Sequence, residues 1–138
     1  MSAKDLIPGS GGYHMAKSMY GFSVDEFPDL ETAADAAVKR IYTAGLMICN
    51  GRVGPGGNNV MANFAAQAFS TEQLDTLRAS TNPYAKDFCE IIELRLEFAD
   101  GKGGQQHLEQ IYKNVQVLKG KGWNPGGEPH RLNGPRPV

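Results

Sequence analysis

The sequence predicts an all-α fold: a compact bundle of about five helices with extended Gly/Pro-rich arms at both ends. Three observations predict it. Five consecutive segments carry apolar residues at spacings of three and four, the repeat of one helix face. Helix start and stop residues bound those segments. From Lys119 onward 9 of 20 residues are Gly or Pro, a composition that breaks helices and weakens strands. A chain of 138 residues with 41% hydrophobic content closes one core and is too short for two. The expected divisions are an N-terminal arm over residues 1–22, a helical domain over 23–119 and a basic tail over 120–138.

The arm combines Pro8 and glycines 9, 11 and 12 with an aromatic and methionine group: Tyr13, Met15, Met19, Tyr20 and Phe22. Such residues are enriched at interfaces and cannot bury themselves in so short an arm, so they are read as partner-binding. Ser23 and Glu26 have capping-box spacing and suit a short helical turn ended by Phe27-Pro28.

Asp29 offers a carboxylate cap to a first helix over residues 30–49. Ala34, Ala37, Val38, Ile41, Ala44, Gly45 and Ile48 form its inner face, and Asp35, Lys39, Arg40 and Thr43 its outer one. Small side chains thin that inner face enough for another helix to approach closely. Asn50-Gly51 reads as the stop.

The second helix, over residues 59–69, is apolar almost all round, with Asn63 and Gln67 as its polar edge, and so belongs inside. Ser70 to Gln73 again has capping-box form and opens a short third helix with Leu74 and Leu77 inward.

Asn82-Pro83 opens the fourth. Over residues 91–98 apolar and polar residues alternate as in a strand. A strand leaves Tyr84 to Ile91 unexplained, whereas a helical projection gathers Lys86, Asp87, Glu90, Glu93, Glu97 and Asp100 on one side, so helix is the reading. Asp100-Gly101-Lys102-Gly103 reads as its stop, and the fifth helix carries the stripe Leu108, Ile111, Tyr112, Val115 and Leu118.

The net charge of −1 conceals an asymmetry. Residues 1–100 hold 8 Lys/Arg against 13 Asp/Glu, and residues 101–138 hold 6 against 2, giving −5 and +4. The basic end therefore favours an acidic surface. Cys49 and Cys89 lie in apolar helical patterns without ligand spacing and read as reduced, buried thiols. There is no leader-like apolar segment and no run of about 18 apolar residues, so a cytoplasmic protein with no membrane contact, or one assembled into a particle there, is expected.

Catalytic signals are sparse. His14, His107 and His130 lack metal-ligand spacing, and neither a nucleophile elbow nor a phosphate-loop fingerprint occurs, so no cofactor or metal is expected. The best local anion-binding candidate is the Gly-rich run between the first two helices: Arg52, Gly54, Gly56, Gly57, Asn58 and Asn59, whose glycines would let backbone amides approach a phosphate or carboxylate. The bland reading, an ordinary helix connection, is favoured because such loops normally follow a strand. Arg95 falls in the apolar arc of the fourth helix. A guanidinium there needs an acid or carbonyls, and a buried or interfacial ion pair with a carboxylate of the first helix or the arm is expected ahead of an oligomer contact, with a substrate anion last. In the tail Trp123 is the one large anchor. Lys119, Lys121, Arg131 and Arg136 dilute their charge over Gly and Pro, a weak nucleic-acid signal; Trp123 and Arg131 are read as partner-binding.

These readings point to a non-enzymatic assembly or accessory subunit of a larger particle, virion-like or another complex, whose arms contact neighbouring chains in a homo-oligomer or hetero-complex. The alternatives are a small regulatory or inhibitory module acting on a larger enzyme, and a small enzyme using the loop over residues 51–59.

Overall fold

The structure is a computed structural model; it describes the backbone of residues 21–44, 48–49, 52–53 and 56–126, and the side chains of residues 21–43 and 61–126. Within these the fold is all-α, with five helices: α1 (Leu30–Ala44), α2 (Gly56–Gln67), α3 (Thr71–Ala79), α4 (Ala85–Ala99) and α5 (Gln105–Gly120). A 3-10 turn, Val24–Glu26, precedes α1, and a two-residue antiparallel ladder joins β1 (Ile48–Cys49) to β2 (Arg52–Val53) between α1 and α2.

α4 lies at the centre and packs on all four other helices. Its buried side chains, Ala85, Phe88, Cys89, Ile91, Ile92 and Arg95, recur at helical spacing. The alternation over residues 91–98 is thus a coincidence of a helix with apolar residues on most of its circumference. α1 and α2 form the most extensive pairing. Ala33, Ala34 and Ala37 of one, and Ala62, Ala65 and Ala66 of the other, are fully buried, so small side chains line the pairing and let the backbones come close.

Several start and stop signals act as the sequence indicates. Asp29 Oδ1 accepts the Thr32 amide at 2.7 Å. Ser70 and Gln73 form both halves of a capping box. Asn82 Oδ1 accepts the Tyr84 amide at 2.9 Å, although regular helix begins only at Ala85. Gly101, at φ +76, closes α4: its own amide bonds to Phe98 O and the Lys102 amide to Glu97 O, the pairing of a Schellman motif.

Three local readings are corrected. The Ser23 side chain makes no cap bond to the Val24–Glu26 turn; backbone bonds from Glu26 to Ser23 O and from Phe27 to Val24 O hold that turn instead. α1 ends at Ala44, five residues earlier than expected, and Ile48 and Cys49 belong to the ladder. Its pairing of Cys49 with Arg52 brackets an Asn-Gly dipeptide, a hairpin signal as well as a helix stop. α2 begins at Gly56, so Gly56, Gly57, Asn58 and Asn59 lie inside the helix rather than in a loop.

Candidate interaction site at the root of the C-terminal tail

The end of α5 places the tail. Gly122 has φ +102, a conformation glycine adopts without penalty. Its amide bonds to Lys119 O and the Trp123 amide to Leu118 O, both at 3.0 Å, so a second Schellman motif turns the chain and plants Trp123 back on the domain. The indole is 6% exposed and stands edge-on to Phe88, with ring centroids 5.7 Å apart. Its Nε1–H donates to Asp35 Oδ1 of α1 at 2.6 Å. Lys121 Nζ lies 2.7 Å from Asp87 Oδ2, and Tyr84 Oη donates to Lys121 O at 3.2 Å. One ring contact and three polar contacts thus tie Lys121 and Trp123 to α1 and to the start of α4.

This junction bounds an open cleft of about 230 Å³, lined by Glu31, Thr32, Asp35, Asn82, Tyr84, Phe88 and Trp123. Carboxylates form one wall. Asp35 is engaged by Trp123 and by Lys39 Nζ at 2.9 Å; Glu31 Oε1 accepts the Ser80 hydroxyl at 3.1 Å. Asp29, at the head of the same helix, is held below the usual carboxylate range by its hydrogen bonds to Thr32. Aromatic rings complete the lining, with Tyr84 and Phe88 centroids 6.2 Å apart.

The other arm is rooted in a similar way. Phe22 stacks on Phe27 at 5.2 Å and lies 6.2 Å from Phe69. The Arg40 guanidinium sits over its ring at 5.0 Å and donates to Gly21 O at 3.3 Å. Phe22 and Trp123, both read from sequence as partner-binding, therefore contact this domain. Tyr13, Met15, Met19, Tyr20 and Arg131 lie outside the described residues.

Arg95 is fully buried. Its Nε donates to Asn63 Oδ1 at 3.2 Å, and its guanidinium lies over the Phe98 ring at 4.5 Å. Burial pushes it down to about 9, so it stays charged at neutral pH. Asn63 is 6% exposed; the polar edge expected on the second helix is in part this arginine's hydrogen-bonding partner.

In the anion-binding candidate, Arg52 is in β2, Gly56, Gly57, Asn58 and Asn59 are in the first turn of α2, and Gly54 lies outside the described residues. No group of three or more His, Cys, Asp or Glu side chains among the described residues has an arrangement that could hold a metal. His107 Nε2 lies 3.2 Å from Glu97 Oε2. No described helix is long and apolar enough to cross a membrane.

The acid–aromatic cleft was not anticipated from sequence. Its walls come from positions 31–35, 82–88 and 123, and only the Gly122-Trp123 pair hinted at it, as a glycine stop followed by an apolar residue. Set against known proteins, the chain matches no family model, no curated protein and no solved structure.

Proposed function

We propose that this protein is a non-enzymatic assembly or accessory subunit, with the helical domain serving as a mount for two arms that contact neighbouring chains. One observation carries the reading: α1 grips the roots of both arms, through Arg40 on Phe22 and through Asp35 on Trp123. These positions are five residues apart, about 140° around the helix, so Phe22 and Trp123 meet α1 on different faces. An arm whose root is already ordered loses less conformational entropy on docking than one that is free from its first residue. The interface-prone composition of residues 13–20 and the basic residues beyond 126 supply the contacts.

The test is the mass of complexes formed with native neighbours, by size exclusion with light scattering. The full chain is compared with versions lacking residues 1–20 or residues 127–138. Assembly by the full chain, lost on either trimming while the helical circular dichroism remains, supports the reading. A full chain that stays monomeric with its neighbours present overturns it.

A further inference from the structure

We infer that the cleft between α1, the start of α4 and Trp123 receives an arginine side chain, supplied by the C-terminal segment 127–138 of a second copy of this protein. The inference rests on the assembly reading and names the partner for one of its arms.

The chemistry of the walls selects the ligand. Glu31 presents a carboxylate whose one bond within the described residues is to the neutral Ser80 hydroxyl, with no Lys or Arg among those residues within ion-pairing distance. Asp35 adds a second carboxylate one turn on, its Oδ1 taken by the Trp123 indole N–H and its Oδ2 by Lys39. Tyr84 lines the same cleft of about 230 Å³ with a half-buried ring, and the buried Phe88 and Trp123 complete its lining. A planar cation that stacks on the Tyr84 ring while its N–H groups reach the Glu31 carboxylate fits this lining, and guanidinium does this better than the compact, strongly hydrated ammonium of lysine.

The chain's own charge distribution names the source. The first hundred residues carry −5 and the remainder +4. Segment 127–138 holds Arg131 and Arg136 against the single acid Glu128. A neighbouring copy offers this basic segment the same acidic first hundred residues. A reciprocal exchange between two copies fills both clefts with one two-fold symmetric contact.

Trp123 is the sole tryptophan and lines the cleft, so its emission reports occupancy. The full-length chain, Glu31→Gln, the double variant Arg131→Gln/Arg136→Gln and an equimolar mixture of the two variants are followed by sedimentation velocity and by tryptophan emission over a concentration series. Thermal melts verify folding. The expected result is concentration-dependent dimerisation of the full chain with a parallel emission change. Association weakens about 25-fold in Glu31→Gln, about fivefold for each of the two exposed ion pairs in the symmetric dimer, and further in the double arginine variant. The mixture partly recovers, since one intact cleft meets one intact tail. Dimers that persist undiminished in both variants overturn the cleft while leaving the assembly reading standing. A monomeric full chain whose emission shifts with the arginine substitutions at every concentration places the tail in its own cleft and overturns the exchange. A monomeric full chain with unmoved emission overturns it as well; the assembly reading then stands or falls on native neighbours.

Discussion

The indole N–H of Trp123 donates to the carboxylate of Asp35 at 2.6 Å, across 88 positions of sequence. This bond fastens the end of the last helix to the beginning of the first. Around it the ring fills space against Phe88, so the polar and apolar parts of one side chain act at the same place.

Removing the ring tests that anchor. Trp123→Ala is expected to destabilise the protein by about 3 kcal/mol, the scale for truncating a buried aromatic. Trp123→Phe, which keeps most of the packing and loses the hydrogen bond, is expected to cost about 1 kcal/mol. Urea unfolding followed by far-ultraviolet circular dichroism measures both, since the fluorescence probe is lost. Equal effects of the two variants would show that the bond to Asp35 dominates over packing.

Gly122 sets the direction of the ring. At φ +102 any side chain is strained, and a Cβ would meet Tyr84 Oη at 3.5 Å, an ordinary contact. The cost of Gly122→Ala is therefore conformational, about 1–2 kcal/mol, accompanied by a red shift of Trp123 emission in the folded state as the indole loses its seat. A blue-shifted, fully stable variant would contradict this.

The Arg95–Asn63 bond is a buried polar contact between α4 and α2. Asn63→Ala withdraws one acceptor from a charged, fully buried guanidinium and is expected to cost about 2–3 kcal/mol. Arg95→Met, which removes the charge and keeps much of the volume, is expected to cost less, and the same denaturation series measures it with the double variant. In that cycle the Asn63→Ala penalty should shrink once residue 95 is uncharged; an unchanged penalty would mean the two residues act independently.

Cys89 is 1% exposed, and its Sγ–H donates to Leu74 O at 3.3 Å. Burial, with the nearby Glu93 charge, pushes the thiol from 9.0 up to about 11, against an opposing effect of Arg78. The folded state therefore keeps the proton where the unfolded state has lost it. The stability this contributes is fully present below pH 9 and declines as pH rises toward 11. In a Cys49→Ser background, labelling by a maleimide at pH 8 should proceed only at the rate of opening and accelerate sharply in denaturant. Prompt labelling of the folded protein would refute the buried, protonated thiol.

Which parts of this were legible in sequence follows from the range of the forces concerned. Asp29, Ser70 with Gln73, and Gly101 act within one helical turn, and each does what its residue type suggests. Ser23 has the right spacing but no cap bond, because backbone bonds suffice for a turn of three residues. The first helix was read five residues too long because Ile48 and Cys49 continue its apolar phase, and phase alone does not distinguish one more helical turn from a ladder strand. Arg95 was recognised as an inward-facing charge from periodicity. Its partner Asn63 reads only as part of a polar edge, since an isolated helix does not indicate which of its faces a neighbour covers.

The sequence by itself determined the helices, their inward faces and the Gly/Pro-rich ends, because propensity, capping and periodicity operate over a few residues. Only the tertiary structure decided that α4 is central, that Arg95 meets Asn63, and that Asp35, Tyr84, Phe88 and Trp123 enclose a cleft. Those contacts join positions tens of residues apart, and their geometry exists only once the alanine faces of α1 and α2 and the apolar surround of α4 have packed into one core.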